Sequence, residues 1–398
     1  MKFIKRNLQL IAVSVGHFSN DFYMNLIPPI LFAFSSELGL TLAQQSVIAF
    51  VITTGGTLLQ PVVGYMLDKV GKSSYLIIGI LWISIGMSVT GLITNYYLLI
   101  AVSGISAIAS AIYHPLGSSI AANLSSVSRG KSLSVFMTIG GFAATFTPMV
   151  SIPVVNSFGL RPLVFFAIPG LLTALFLKSV NVDKIECKTN TETEKKQEPA
   201  IEKGKVAWLS LVVLISVIRV AVSSLIVVFG VQLMLAKGVS VITAGVILSI
   251  HMFLRSIGTL TGGLISDELG EKRVMIFFNT ILLLVYGVTM FTSGFITAIG
   301  TVILGYVLHA TATANITITH NILPENLNLG TGMIMGLSNT IAGLIVLIFG
   351  KYADVFGLIH MAKISTIIVA AAALISFFIP MKYVKSKNYV AGERAETF

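Results

Sequence analysis

Ionisable side chains are rare in the apolar segments of this chain, and the one acid among them has neighbours suited to proton transfer. Of the sixteen acidic residues, Asp21 alone lies well inside an apolar segment. His17 precedes it by four residues and Asn25 follows it by four, so a helix places the three side chains on one face. A carboxylate in hydrocarbon is costly unless it is paired, hydrated or protonated. Asp21 is therefore predicted to exchange a proton; the alternative is a buried acid that hydrogen bonds hold and that never titrates.

Five more ionisable residues lie at comparable depth in later apolar segments: His114, Arg219, His251, Arg255 and His309. Arg219 keeps its proton, so it must pair with Asp21, with a backbone carbonyl or with an anionic substrate group, and we favour Asp21 or substrate. Histidines titrate near physiological pH. His17, His114 and His309 are therefore candidate proton carriers, although a single histidine in a membrane also serves to hydrogen-bond one helix to another.

The segment around His309 reads HATATANITITH and carries a stripe of hydrogen-bonding side chains at helical spacing. We assign His309 and Thr313 in this stripe to substrate binding, together with Asn25; helix packing is the alternative explanation. His251 and Arg255 lie one helical turn apart and are second-rank candidates for the same space.

No metal or cofactor site is predicted. The histidines are not spaced to share a metal ion within one helix, and neither a nucleophile-base pair nor a cofactor motif is present, so an enzyme is not expected. The single cysteine, Cys187, leaves no disulfide within one chain.

The composition places these residues in a lipid bilayer. The chain has 398 residues, of which 55% are hydrophobic and 11% are charged, a balance that a water-soluble domain of this length could not bury. A membrane helix needs about 20 mostly apolar residues, and twelve such segments follow one another. We number them spans 1 to 12 and place them near residues 8–34, 42–67, 74–93, 97–123, 132–156, 161–180, 206–235, 241–266, 273–293, 296–322, 331–350 and 358–381.

The net charge of +10 is a topology signal. If the N-terminus and the even-numbered connections share one side, nearly all lysines and arginines of the connections and span ends lie there, and the exceptions are Arg161, Lys237, Lys351 and Lys363. By the positive-inside rule both termini are cytoplasmic. Because the basic residues follow the topology, we expect no nucleic-acid partner.

Two homologous halves are predicted. Residues 182–205 form a charged stretch with almost no large apolar side chains, which cannot bury a core. We interpret 1–181 as an N-terminal six-helix bundle, 182–205 as a cytoplasmic linker, and 206–398 as a C-terminal six-helix bundle with a short tail. A repeated pattern after the second span of each half supports a duplication, since three matched positions recur 199 residues apart: Gly64, Asp68 and Gly71, then Gly263, Asp267 and Gly270.

At these residues the chain resembles the major facilitator superfamily, whose loop after the second helix carries Gly, Asp, Gly and then basic residues. The resemblance implies an all-α membrane fold of two pseudo-symmetric six-helix bundles. It implies that the two copies of the motif are a conformational latch on the cytoplasmic side. It also implies that the first and fourth helices of each half line one cavity, which would bring together Asp21, His114, Arg219 and His309.

Within the superfamily the chain looks like the fosmidomycin resistance protein group of bacterial exporters. The marks are GHFSND in span 1, LLQPVVGYMLDKVGK closing span 2, YHPLGSS in span 4, GGFAATFTP in span 5 and LPENLNLGTGMIMG entering span 11. This resemblance implies proton-driven efflux of a small molecule across the cytoplasmic membrane by a monomer, with Asp21, His17 and His114 in proton coupling.

Other functions fit the same fold. A proton-substrate symporter or a uniporter would reverse or uncouple the transport, and a receptor that kept the fold would not transport at all. Arg219 favours a substrate with negative charge over a neutral one.

Overall fold

A computed structural model describes residues 2–60, 63, 66, 72–124, 129–185, 203–323, 330 and 333–379. The chain divides into two compact units, Met1–Lys195 and Lys196–Phe398. Most of the predicted linker and the C-terminal tail fall outside the described residues, so the predicted boundaries at 182 and 205 stay a prediction.

The first unit contains spans 1 to 6. In the described residues spans 2, 4 and 5 are each a single α-helix, and spans 1, 3 and 6 also contain a 3₁₀ segment. Their bounds are Lys2–Met24, Pro28–Ile30 and Leu31–Leu38 for span 1, Leu42–Thr57 for span 2, Tyr75–Val89 and Thr90–Leu92 for span 3, Tyr96–Leu124 for span 4, Arg129–Phe158 for span 5, and Arg161–Phe166 and Ala167–Ser179 for span 6.

The second unit contains spans 7 to 12, of which the first three are uninterrupted helices. Span 10 is divided in two, span 11 opens with one π-helical turn, and span 12 is divided near its start. Their bounds are Lys203–Ala236 for span 7, Val241–Leu269 for span 8, Glu271–Phe291 for span 9, Gly294–His309 and Ala312–Ile322 for span 10, Met333–Leu337 and Ser338–Phe356 for span 11, and Leu358–Ile364 and Thr366–Phe377 for span 12.

The two units pack their helices in the same order. In the first, span 1 packs against spans 4 and 5, span 4 against spans 2 and 3, and span 3 against span 6. In the second, span 7 packs against spans 10 and 11, span 10 against spans 8 and 9, and span 9 against span 12. The pairings correspond one to one, as a duplicated six-helix unit requires.

Ten helices of the described residues are long and apolar enough to cross a membrane. Spans 1 and 2 are not among them, since span 1 carries a polar stripe and ends its first helix at Met24, and span 2 runs into residues outside the described ranges. Many large apolar side chains on these helices are exposed, such as Phe295 and Leu172, as a lipid-facing surface requires. The predicted all-α membrane architecture is confirmed.

Two breaks in the helices lie next to predicted site residues. Span 1 stops at Met24, three residues after Asp21, and continues only after the buried pair Pro28-Pro29; proline cannot donate the backbone hydrogen bond that an α-helix needs. Span 10 stops at His309 and restarts at Ala312. Each break leaves backbone polar groups for side chains to satisfy.

Lys237 explains one exception to the charge rule. Its buried ammonium Nζ donates hydrogen bonds to the carbonyls of Thr289 (2.7 Å) and Met290 (2.8 Å), in the last turn of span 9. The last carbonyls of a helix have no partner within it, and a cation there is favoured by the helix dipole. Lys237 therefore joins the end of span 7 to the end of span 9.

We expect Lys237→Ala to lower the free energy of unfolding by about 1.5–3 kcal/mol, because charge-assisted hydrogen bonds to two buried carbonyls are lost. The measurement is the unfolding midpoint of the purified protein in one detergent, followed by tryptophan fluorescence. Lys351→Ala, at an exposed position, is the control and should leave the midpoint unchanged. Equal midpoints for the two variants would contradict the assignment.

Candidate functional site

Asp21 lies between two histidines from different spans. Its Oδ2 is 3.3 Å from Nε2 of His17, one helical turn earlier in span 1. Its Oδ1 is 3.3 Å from Nε2 of His114 in span 4. The two imidazole rings meet edge to face, with centroids 5.0 Å apart. The first unit thus brings together the three residues that the sequence assigns to proton coupling.

His17 is held in one orientation by span 5. Its Nδ1 lies 2.8 Å from the backbone oxygen of Phe136, and its ring stacks on the Phe136 ring with centroids 4.0 Å apart. Gly140 makes room for the ring, because a Cβ at that position would lie 2.2 Å from Nδ1. Gly140 of span 5 thus admits the His17 ring.

Asn20 and Ser110 complete this cluster. Asn20 Nδ2 donates to Asp21 Oδ1 and to Ser110 Oγ, both at 3.0 Å, and lies 3.4 Å from His114 Nε2. Neither residue was among the sequence candidates. Ser110 stands four residues before His114, so the helical spacing that linked His17 to Asp21 would have found it.

The three ionisable residues differ in their access to solvent. The exposed fractions of the side chains are 2% for His17, 20% for Asp21 and 30% for His114. Ligand atoms of the three lie within 4.8 Å of one another, so they can share one small cation. The sequence argument against a metal considered spacing within one helix, whereas here one of the three groups comes from another span.

The second unit has a cationic cluster between spans 7 and 10. Arg219 Nη1 donates to Nδ1 of His309 at 3.2 Å, and Arg219 Nη2 donates to Ser216 Oγ at 3.4 Å. His309 Nε2 lies 3.2 Å from Ser223 Oγ. Because arginine keeps its protons, His309 accepts at Nδ1, and its Nε2 then carries the hydrogen that Ser223 accepts.

In the second unit, the helix interiors that the structure describes contain no acidic residue to pair with this cluster. The acidic residues described there, Asp267, Glu268, Glu271 and Asp354, all lie at helix ends. Arg219 Nε is buried without a hydrogen-bond partner among the described residues. Arg255 adds positive charge that acts on Arg219 and on His309.

Three other candidates make local contacts. Asn25 Nδ2 donates to the backbone carbonyl of Asp21 at 2.8 Å, and the same carbonyl accepts the Asn25 backbone N–H at 3.0 Å. Thr313 Oγ1 donates to the Thr259 carbonyl at 3.0 Å and so ties span 10 to span 8. His251 is fully buried, with Nδ1 2.8 Å from the Thr301 carbonyl. Substrate binding by Asn25 and Thr313 stays a prediction.

Only the second copy of the glycine-aspartate motif can be examined. Gly64, Asp68 and Gly71 lie outside the described residues. In the second copy a Cβ on Gly263 would lie 3.2 Å from the Thr313 side chain, so this glycine lets span 10 come close. Asp267 is exposed at the end of span 8, and Gly270 makes the turn into span 9 with a φ of 86°. A latch function stays a prediction.

Comparison with known proteins identifies the family. The family model described as Major Facilitator Superfamily matches residues 13–237, which is more than half of the chain. The chain belongs to the major facilitator superfamily. It is 26% identical over 355 residues to the fosmidomycin resistance protein of Escherichia coli K12, with 86% of each chain covered. It is 22% identical over 382 residues to an uncharacterized MFS-type transporter, YfnC, of Bacillus subtilis 168, covering 93% of this chain and 92% of that one.

A solved structure agrees with this membership. The crystal structure of a bacterial homologue of the human lysosomal transporter Spinster matches with a TM-score of 0.79 and 15% identity, over 95% of this chain and 98% of the other. At that identity the match supports the fold alone. As a member of the major facilitator superfamily, the protein is a multi-pass membrane transporter of small molecules and not an enzyme.

Asn20→Leu tests the hydrogen bonding around Asp21. The change removes both donors of the amide while keeping its size, so we expect the free energy of unfolding to fall by about 1–3 kcal/mol. The fraction of protein that stays monodisperse after heating in detergent measures the loss. Asn123→Leu is the matched control, because its amide bonds only the Ser119 carbonyl at an exposed site. Equal heat resistance of the two variants would refute a role for Asn20 in holding the cluster.

Proposed function

We propose that this transporter is a proton-coupled exporter that exchanges external protons for a small anionic compound by alternating access. The observation that carries the proposal is the position of Asp21 between His17 and His114. The remaining support comes from the cationic cluster of the second unit and from the name of one relative.

The first unit has the groups that a proton carrier needs. A carboxylate within 3.3 Å of two imidazoles can be neutralised in the membrane by a proton on any of the three groups, so each protonated form of the cluster has no net charge. Two of the three side chains are partly exposed, which gives protons a route to the carboxylate. No lysine or arginine competes for Asp21 among its described contacts.

The second unit has the groups that an anionic substrate needs. Arg219 is a permanent cation with a donor, Nε, that has no partner among the described residues. A carboxylate or phosphate group would satisfy that donor with a charge-assisted hydrogen bond. Ser223 accepts a hydrogen bond from His309, so its hydroxyl hydrogen can supply a further neutral hydrogen bond.

Export is favoured over import by the relative named for fosmidomycin resistance, since resistance to a compound is commonly conferred by its removal. From its family and its bacterial relatives we expect a monomer in a bacterial cytoplasmic membrane. The basic residues outside the spans favour an orientation with both termini in the cytoplasm. The glycine-aspartate motifs would then act as the cytoplasmic latch.

The proton gradient supplies enough energy for such exchange. Moving one charge through 100 mV is worth about 2.3 kcal/mol, and about 1.4 kcal/mol corresponds to a tenfold ratio. One inward proton can therefore sustain a substrate ratio of roughly tenfold to a hundredfold. Protonated Asp21 and bound substrate must favour different conformations for the coupling to work.

Two other functions remain as alternatives. A proton-substrate symporter would use the same sites, and external substrate would then draw protons into the cell instead of releasing them. A non-transporting receptor would bind its ligand without flux into liposomes. Neither has an observation of its own in its favour.

Asp21→Asn should abolish gradient-driven flux while substrate binding and exchange persist, because the amide cannot take up a proton. The measurement uses proteoliposomes with an imposed proton gradient and fosmidomycin as the first probe, followed by other small carboxylates and phosphates. Asp183→Asn, outside the spans, is the matched control and should transport like the wild type. Equal gradient-driven flux in wild type and Asp21→Asn would remove Asp21 from the coupling.

Arg219→Gln should weaken the binding of anionic probes by about tenfold to a hundredfold, because one charge-assisted hydrogen bond is worth roughly 1.5–3 kcal/mol. Arg219→Lys keeps the charge and should fall between the wild type and the glutamine variant. Binding of uncharged probes is the internal control. A uniform loss of affinity for charged and uncharged probes would indicate a structural role for Arg219.

A further inference from the structure

The hydrogen bond between His17 and span 5 determines where His17 carries its proton. The Phe136 backbone oxygen, 2.8 Å from Nδ1, can only accept a hydrogen bond. Nδ1 of His17 must therefore carry a hydrogen and donate it. In a neutral imidazole the other nitrogen, Nε2, then holds a lone pair and no hydrogen.

The Nε2 lone pair of His17 faces another hydrogen-bond acceptor in the buried cluster. Nε2 of His17 lies 3.3 Å from Asp21 Oδ2 and has no hydrogen-bond partner among the described residues, although it is fully buried. An ionised carboxylate is also an acceptor only. Two acceptors facing each other without a hydrogen between them are unfavourable in a site of low dielectric.

We propose that the His17-Asp21 pair holds one buried proton, and that His114 is the group through which this proton exchanges with water. The inference deepens the proposed proton coupling and rests on it for its functional meaning. It assigns separate roles to two histidines that the sequence treats alike.

The buried proton makes the pair neutral. It lies either on Nε2, giving an imidazolium beside a carboxylate, or on Oδ2, giving a carboxylic acid beside an imidazole. Without the proton the pair has a net charge of −1 and two opposed lone pairs, and the side chains must separate or admit water. Loss of the proton therefore favours a different arrangement of spans 1 and 5, as alternating access requires.

His114 is placed to deliver the proton. Its Nε2 lies 3.3 Å from Asp21 Oδ1, and it is the most exposed residue of the three. A proton arriving at Nδ1 of His114 forms a new N–H bond, and the hydrogen on Nε2 then passes to Oδ1, where an O–H bond forms as the N–H bond breaks. One proton enters, His114 is neutral before and after, and the charge of the cluster rises from −1 to 0. Rotation of the carboxyl group turns the hydrogen towards His17.

Few other titratable groups face the cluster. Tyr113 on span 4 interacts electrostatically with Asp21, and its hydroxyl donates to the Val13 carbonyl at 2.9 Å. The described side chains of spans 2, 3, 5 and 6 bring no acid, histidine or base to His17, Asp21 or His114. Among the described residues, the exchange therefore involves these three alone.

Nitrogen NMR of the full chain with ¹⁵N-labelled histidine tests the assignment directly. His17→Gln and His114→Gln identify the two sets of signals in detergent between pH 6 and 9. We expect His114 to titrate across this range while His17 keeps a hydrogen on Nδ1 and does not follow the bulk pH. Titration of both histidines together, like free imidazoles, would overturn the proposal.

Gly140→Ala tests whether the position of the His17 ring matters, because it leaves His17 and Asp21 themselves unchanged. The added Cβ would displace the His17 ring from the Phe136 carbonyl, so we expect His17 to titrate and the pH of half-maximal transport to shift by about one unit. Gly79→Ala is the matched control in the same unit, because its Cβ would meet the Ala109 carbonyl at an ordinary 3.6 Å. An unchanged pH profile in Gly140→Ala, with protein that is folded, would contradict the role of the carbonyl.

Two further outcomes distinguish the buried proton from the proposed function on which it rests. One transition-metal ion per purified chain, measured by elemental mass spectrometry, would overturn the buried proton, since a metal ion would then join the opposed lone pairs. Normal coupled transport by Asp21→Asn with the expected NMR result would refute the proposed function and leave the buried proton as a structural feature.

Discussion

The absence of water in the hydrocarbon layer is the constraint on which the rest of this protein depends. Each backbone polar group there must find a partner in the protein, which is why the described chain is built of helices. Where a helix stops inside a span, the released groups need side chains. Lys237 donates to the last carbonyls of span 9 in this way, and Asn25 adds a second hydrogen bond to the Asp21 carbonyl beside the break in span 1. Polar residues thus collect where the helices are interrupted.

The same constraint separates the chemistry of the two units. The first gathers a carboxylate, two histidines and an amide, which together can be neutral. The second gathers Arg219, Arg255 and His309 without an acid in its described helix interiors. A site whose own charges can balance is suited to a proton. A site with an excess of positive charge is suited to a ligand that carries negative charge. Equivalent helix pairings in the two units therefore carry clusters of different charge.

The sequence predicted much of this because intramembrane charges are few. Asp21 was identified because it is the one acidic residue well inside an apolar segment. His17 was identified because it lies four residues earlier, on the same helix face. The approach of His114 from another span followed only from the family resemblance, since spacing along the chain carries no information about contacts between helices. The Phe136 carbonyl could not be predicted, because every residue has a backbone oxygen and only the fold selects one. The break in span 10 was also missed, since HATATANITITH continues a helical pattern across it.

The duplicated packing has a further consequence. The offset of 199 residues that relates the two glycine-aspartate motifs also relates Asn20 to Arg219 and Ser110 to His309. Asn20 contacts Ser110, and Arg219 contacts His309, so one polar contact occurs at equivalent positions in both copies. After a gene duplication, each copy of such a contact is free to change without disturbing the other. Two substitutions at a single inherited crossing of helices are enough to turn an amide-hydroxyl pair into a cationic one.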